Sequence, residues 1–188
     1  GWSLLEARRR EPRDDLLTRI AHGNVNGRPL DEIEQKSFFS NMIAAGNETT
    51  RSSFAGALWA LARFRNERDR LIGDPGLMPA AVHEILRWFS PVFQMARTAT
   101  ADVEVGGTRI AKGERVALLY GAGNHDPALF EEPHRLVVTR ANANRHIGFG
   151  IGIHHCLGAR LATMQLTILL EAVLKAWPHY EIREEPRY

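Results

Sequence analysis

The sequence has a single cysteine, Cys156, among its 188 residues. One cysteine has no intramolecular disulfide partner, as is usual in a reducing compartment such as the cytoplasm. It also falls short of the three or four cysteine and histidine ligands that hold zinc. The composition therefore excludes a disulfide-stabilised scaffold and a zinc-finger-type site, and it predicts a cytoplasmic location.

Membrane and nucleic-acid signals are also missing. No apolar run is long enough to span a bilayer, and no signal peptide is visible. The 24 basic and 22 acidic residues are interleaved, with a formal net charge of +2, so they form no nucleic-acid footprint. Because the chain begins with Gly-Trp-Ser rather than Met, we expect it to belong to a longer chain whose upstream part could carry an anchor.

The spacing of apolar residues and glycines along the chain predicts a mainly α-helical fold with small antiparallel β-sheets. With 44% apolar residues, a chain of this length can bury a core and form one domain. Alternation interrupted by glycines predicts short strands with a hairpin over 95–120, and loops are expected at 23–29 and 121–147. Helical periodicity covers 3–22 with a break near Pro12, 31–63, 64–73, 79–89 and 157–177, and the tail 180–188 is expected to add one strand.

The middle of the long predicted helix, Ala44-Ala-Gly-Asn-Glu-Thr-Thr50, is rich in small residues. Ala45 and Gly46 would let a flat ligand lie close to the helix. The hydroxyl of Thr49 can bond the carbonyl four residues back, that of Ala45, and so distort the helix locally. The alternative is that the small residues mark a helix–helix contact and that Glu48 faces solvent.

The segment around Cys156 reads Phe-Gly-Ile-Gly-Ile-His-His-Cys-Leu-Gly over 149–158. Its glycines allow tight turns and the close approach of a bulky, flat partner. An apolar helix is predicted to begin right after the cysteine, and the positive end of a helix favours a thiolate, which can ligate a metal. A lone cysteine is most often a small buried hydrophobe. One thiolate on a glycine-rich loop, without the C-x-x-C-H of covalent haem attachment, instead suits a single axial bond to haem iron.

This segment resembles the haem-binding loop of cytochromes P450, with phenylalanine, glycines, histidine and cysteine at the family's spacing. The resemblance implies haem b as the cofactor and Cys156 as the fifth ligand of its iron. It implies that Phe149 packs beside the cysteine, within the same loop as Gly150, and that His154 meets a haem propionate. Arg97 matches a second propionate-binding position, and without the family it would equally be a charge on an edge strand.

A second motif lies in the long helix. The stretch AAGNETT resembles the oxygen-activating helix of the family. The resemblance implies that Thr49 and Glu48 manage proton delivery during dioxygen activation, and that Ala45 and Gly46 lie against the haem. Adjacent residues of a regular helix point about 100° apart, so a water molecule would have to link the threonine and the acid.

A third motif follows in the family's order. Glu84 and Arg87, spaced i, i+3, would in isolation be a surface salt bridge, but they match the family's buried structural Glu-x-x-Arg pair. We expect Arg135 to complete this pair. His134 and His146 are isolated histidines in a predicted loop and receive no role.

The resemblance implies that residues 1–188 are a single partial domain, the C-terminal haem-binding half of a P450 fold. It implies a monooxygenase that uses O2, a lipophilic substrate such as a sterol, terpenoid or long aliphatic compound, and electrons from a ferredoxin- or flavodoxin-type donor with its reductase. Two alternatives stay open. A haem-thiolate sensor or binding protein would not need Glu48 and Thr49, and a truncated inactive fragment would retain the motifs without turnover.

Overall fold

The structure is a computed structural model that describes residues 2–184. The predicted class is confirmed, since about 54% of the structure is helical and its sheets are small and antiparallel. The chain divides into two compact units, Gly1–Glu48 and Thr49–Tyr188, and the assignment of the whole chain to one partial domain stays a prediction. Within residues 2–184, no helix has both the length and the apolar character needed to cross a membrane.

The first unit contains helices α1 (Trp2–Arg10) and α2 (Leu16–Ala21), with the expected break between them. The carboxylate of Asp15 caps α2 by accepting the Thr18 N–H at 2.8 Å. The loop expected at 23–29 is instead a hairpin of β1 (Asn24–Val25) and β2 (Arg28–Pro29). Its turn residues, Asn26 and Gly27, have φ of 52° and 80°, the left-handed pair that a two-residue hairpin requires.

Helix α3 (Glu32–Arg63) is the long helix that the sequence predicts. It begins with a capping box, in which the Asp31 side chain accepts the Glu34 N–H at 2.9 Å and the Glu34 side chain accepts the Asp31 N–H at 2.8 Å. The helix continues without interruption through 44–50, so the expected local distortion does not break it there.

The second unit contains α4 (Arg65–Gly73), α5 (Met78–Phe89), α6 (Tyr120–Gly123) and α7 (Ala159–Ala176), with the last part of α3. Helices α5 and α7 are in contact, since each has a stripe of apolar side chains at helical spacing. The core that they share with α3 and α4 includes Ala57, Leu61, Leu71, Val82, Ile85, Leu166 and Leu170.

The strands of the second unit follow the predicted alternation. Strand β3 (Gln94–Thr98) pairs antiparallel with β6 (Arg115–Leu119), and β4 (Val103–Val105) pairs with β5 (Thr108–Ile110) as a hairpin. The strand expected in the tail is not present over 180–184, and the rest of that expectation, 185–188, lies outside the described residues.

A buried ionic network joins α5 to the irregular segment 121–147. Glu84 and Arg87 are both fully buried, with Nε–Oε2 and Nη2–Oε1 distances of 2.7 and 2.9 Å. The Nε of Arg140 donates to both Glu84 oxygens at 3.1 and 3.0 Å. Arg87 also donates to backbone carbonyls of Asn124, Pro133 and Arg135. Because the buried charges are paired and hydrogen-bonded, their desolvation is offset.

The prediction that Arg135 completes the pair is wrong. Its guanidinium lies at the surface and donates to Glu132 at 2.7 Å. Only its backbone carbonyl takes part in the network, where it accepts N–H groups of Arg87 and Arg140. Arg140 supplies the buried side chain because the irregular backbone turns position 140, and not position 135, towards Glu84.

The two arginines can be separated by mutation. We expect Arg140→Met to lower the free energy of unfolding by about 3 kcal/mol, because it removes one partner of a buried charge. Arg135→Met, which removes only an exposed ion pair, should leave the urea midpoint almost unchanged. Urea unfolding of both variants measures the difference, and a larger loss for Arg135→Met would contradict the assignment.

Candidate active site

Cys156 lies on a tight loop that precedes α7. Its thiol is exposed, and a short 3-10 turn covers Gly152–His154 just before it. Gly150 has φ of +70°, and a Cβ there would lie 3.1 Å from the carbonyl oxygen of His154, so only glycine suits this position. The helix begins at Ala159, three residues after the cysteine and later than predicted, with the Ala159 N–H 3.3 Å from the Cys156 carbonyl.

Backbone hydrogen bonds fix the two ends of this loop to each other. The Cys156 N–H donates to the Phe149 carbonyl at 2.7 Å, and the Gly150 N–H donates to the Ile147 carbonyl at 2.8 Å. The position of the thiol is therefore set by the loop entry, residues 147–150, as much as by the helix that follows.

Asn124 connects the loop entry to the ionic network. Its side chain accepts the Ile147 N–H at 2.8 Å and donates to the hydroxyl of Ser90 at 2.9 Å. Its carbonyl accepts an N–H of Arg87 at 2.7 Å. Asn124 is fully buried, so each of these bonds is protected from water. Sequence reasoning gave Asn124 no role, because nothing in the irregular segment marks it as buried.

Five of the predicted cofactor residues, including Cys156, lie on the cysteine loop and on β3 of the second unit. Phe149 is half-buried and packs against the main core, while Gly150 and the exposed His154 lie on the same loop as Cys156. Arg97 is half-buried on β3, opposite Val116, and donates to the carbonyl of Ala96 at 2.9 Å.

The predicted residues of α3, two for cofactor binding and two for oxygen activation, lie at the division between the two units. Ala45, Gly46 and Glu48 are exposed and belong to the first unit, so their relation to Cys156 stays a prediction. Thr49 is half-buried in the second unit, and its carbonyl accepts the hydroxyl of Ser53 at 2.6 Å.

The residues present fit a haem group. Among residues 2–184 no set of three or more His, Cys, Asp or Glu side chains could hold a metal ion, so an iron on Cys156 must bring most of its ligands with it, as a porphyrin does. The cysteine loop also carries large exposed apolar side chains, which a flat apolar ring system could cover. These are Ile151, Ile153 and Leu157, with exposures of 71%, 96% and 80%.

A pair of histidines that the sequence left without a role lies beside the loop entry. His146 is buried, and its Nε2 is 3.2 Å from Nδ1 of His83 on α5. Burial, followed by the charges of His83, Arg87 and His155, lowers the pKa of His146 to about 4. Burial also lowers the pKa of His83. Hydrophobic periodicity cannot reveal such a pair, since its members are 63 positions apart.

Two cavities border these elements in the second unit. One of about 430 Å³ is lined by residues that include His83, His146, Phe149 and Arg160. The other, of about 1000 Å³, is bounded mainly by aromatic rings and a stacked pair of imidazoles. Its lining includes Trp59, Phe64, Trp88, Phe89, Phe93, His125 and His134.

The second unit thus presents one accessible thiol on a glycine-rich loop and contains a buried Glu-x-x-Arg pair. The family model described as cytochrome P450 matches residues 4–186. The chain belongs to the cytochrome P450 family, which implies a haem cofactor.

Characterised relatives share this similarity over almost the whole chain. This chain is 41% identical over 186 residues to a methyl-branched lipid omega-hydroxylase of Mycobacterium tuberculosis, and the match covers 98% of this chain and 43% of that protein. It is 40% identical over 176 residues to a steroid C26-monooxygenase of the same organism, covering 94% and 44%. The Bacillus subtilis 168 bacillaene polyketide synthase cytochrome P450 PksS superposes with a TM-score of 0.91 at 38% identity, covering 97% and 47%. The chain thus spans less than half of the length of these relatives.

The buried histidine makes stability depend on pH. Because the pKa of His146 is lowered from 6.5 to about 4, the unfolded chain binds a proton that the folded chain does not. The free energy of unfolding should therefore fall as the pH drops from about 6.5 to about 4, by on the order of 3 kcal/mol from this group.

Urea unfolding across this pH range tests the expectation. His146→Gln should flatten the pH profile, whereas His179→Gln, which replaces an exposed histidine, should not. His125, whose pKa burial also lowers, stays in both variants and contributes a common slope, whereas His83 loses its contact with the imidazole in His146→Gln, so that variant reports on the histidine pair. Identical profiles for the wild type and His146→Gln would show that His146 is not held neutral.

Proposed function

We propose that the protein carrying this chain is a haem-thiolate monooxygenase. It inserts one oxygen atom of O2 into a C–H bond of a lipophilic substrate, while two electrons from a redox partner and two protons reduce the other atom to water. The observation that carries the proposal is the exposed thiol of Cys156 on a glycine-rich loop, in a chain of the P450 family. The loop is held by the hydrogen bond from the Cys156 N–H to the Phe149 carbonyl.

The cofactor of this proposal is haem b, with Cys156 as its protein ligand. Haem, when bound through a thiolate, supplies the redox chemistry that cleaves the O–O bond. The protein positions the sulfur through the loop entry, and backbone N–H groups near it would stabilise its negative charge. Arg97 and His154 are proposed to pair with the propionates, whose burial would otherwise be unfavourable. Ala45 and Gly46 are proposed to leave room for the ring.

Proton delivery is proposed for Thr49 and Glu48. Helix α3 is regular at this point, so the two side chains point about 100° apart and cannot both face one reacting atom. A water molecule between the carboxylate and the hydroxyl would let the acid supply protons while the threonine orients the last donor. The bond from Ser53 to the Thr49 carbonyl helps to hold the backbone of this turn.

The substrate class is proposed from the relatives together with the sequence. One relative is named for a methyl-branched lipid and another for a steroid, and both names describe large apolar molecules with few polar groups. Sterols, terpenoids and long aliphatic compounds therefore come first as candidates. Electrons are proposed to come from a ferredoxin- or flavodoxin-type donor with its reductase, in the cytoplasm.

The ligand assignment is tested with Cys156→Ser in the full-length protein. Serine has nearly the same size but its hydroxyl is a poor iron ligand, so the thiolate-type absorption band of the reduced carbon-monoxide complex should disappear. Haem content and that spectrum are the measurements, with His179→Gln, which replaces an exposed residue outside the loop, as a control. A retained band would refute Cys156 as the ligand.

The proton-delivery role is tested with Thr49→Ala. We expect the protein to keep its haem but to release several-fold more hydrogen peroxide for each reductant consumed, since protons no longer arrive in the right order. Thr50→Ala, the neighbouring threonine on another face of α3, is the matched control. Equal product yield per reductant in the wild type and Thr49→Ala would count against the role.

A further inference from the structure

The imidazole of His146 is hydrogen-bonded at both of its nitrogens. Nδ1 accepts the N–H of Gly148 at 3.1 Å, and Nε2 faces Nδ1 of His83 at 3.2 Å. His83 lies on α5, while Gly148 lies at the entry of the cysteine loop. The ring therefore connects a core helix with the backbone that leads to Cys156.

These bonds fix the proton positions on both rings. The Gly148 N–H can only donate, so Nδ1 of His146 must present a lone pair. In neutral His146 the proton is then on Nε2, and it is donated to Nδ1 of His83. A proton on either acceptor nitrogen would place two N–H groups face to face. The arrangement is therefore a directed chain of donors and acceptors rather than a general polar contact.

The bonded backbone lies one residue before Phe149, whose carbonyl accepts the N–H of Cys156 at 2.7 Å. The rings of His146 and Phe149 are also in contact, with centroids 5.4 Å apart. A shift of the Gly148 amide would thus move the Phe149 carbonyl, which accepts the N–H of Cys156. His83 is thus connected to Cys156 through the His146 imidazole, the Gly148 amide and the Phe149 carbonyl.

Hydrogen bonds add to packing in this region. A cavity of about 430 Å³ borders His83, His146 and Phe149, so the rings are not enclosed on every side. The two bonds of the His146 imidazole then help to define its orientation. Glycine at 148 allows the close approach, because a Cβ there would lie 3.1 Å from Nδ1 of His146.

We propose that His146 is a positioning residue for Cys156: supported by His83, its Nδ1 holds the Gly148 amide and so sets the direction in which the loop presents the sulfur. This inference rests on the proposed function, in which the sulfur of Cys156 binds haem iron. Removing a group that orients a metal ligand, without itself binding the metal, typically lowers metal affinity or activity by about 10-fold or more.

Two substitutions of His146 test the roles of its two imidazole nitrogens separately. In His146→Asn the amide oxygen takes roughly the place of Nδ1 and can accept the Gly148 N–H. In His146→Gln the amide nitrogen takes roughly the place of Nε2, and the Gly148 N–H loses its acceptor. Both variants lose the ring, so their unfolding midpoints should fall by similar amounts. A merely structural role would affect both in the same way.

The experiment uses the full-length haem protein and records the reduced carbon-monoxide spectrum, the iron reduction potential and the unfolding midpoint. We expect His146→Asn to keep the thiolate-type band of the wild type, and His146→Gln to lose most of that band and to retain haem about 10-fold less tightly. Gly148→Ala keeps both histidines but places a Cβ 3.1 Å from Nδ1 of His146, so it should weaken the band less than His146→Gln does, and it remains informative if the latter fails to fold.

The outcomes are distinguishable. A wild-type protein without a thiolate-type band would overturn the proposed function itself. A normal wild-type band that survives unchanged in His146→Gln and Gly148→Ala would overturn the positioning role alone. Equal loss of the band in the Asn and Gln variants, in proportion to their loss of stability, would also overturn it, because it would reduce His146 to a packing residue.

Discussion

The structure of the second unit depends on the buried carboxylate of Glu84. Two arginines, from α5 and from the irregular segment, donate to it, and the backbone N–H of Val137 adds a further bond at 2.9 Å. Residues 121–147 contain no long helix or strand, and their backbone hydrogen bonds are mostly local turns. The guanidinium groups of Arg87 and Arg140 add longer-range bonds by donating to carbonyl oxygens along the segment. The ionic network thus ties a series of local turns to α5.

From α5 the constraint reaches the cysteine loop by two routes. One passes through Arg87 and Asn124 to the amide of residue 147, and the other through His83 and His146 to the amide of residue 148. Both routes end on adjacent residues at the loop entry. The geometry of the thiol therefore depends on the position of α5 as well as on α7, which follows the cysteine and packs against α5.

Sequence reasoning predicted the parts of this arrangement that follow from local chemistry. The long helix α3, the amphipathic α7 and the glycine-rich loop of Cys156 have periodicity or composition that marks them directly. It did not predict that Arg140 is the third member of the ionic network, or that the segment around Asn26 forms a short hairpin. Arg135 and Arg140 carry the same charge in the same aperiodic segment, and only the three-dimensional course of the backbone decides which of them is buried. The partnership of His83 and His146 was invisible for the same reason.

The bonds that hold the loop join residues far apart in the chain, with 56 positions between Glu84 and Arg140 and 34 between Ser90 and Asn124. Closing the intervening chain costs entropy, so these contacts depend on the other structure that brings their partners together. The geometry at Cys156 is consequently a property of the assembled second unit, and the ten residues of the loop would not adopt it as an isolated peptide.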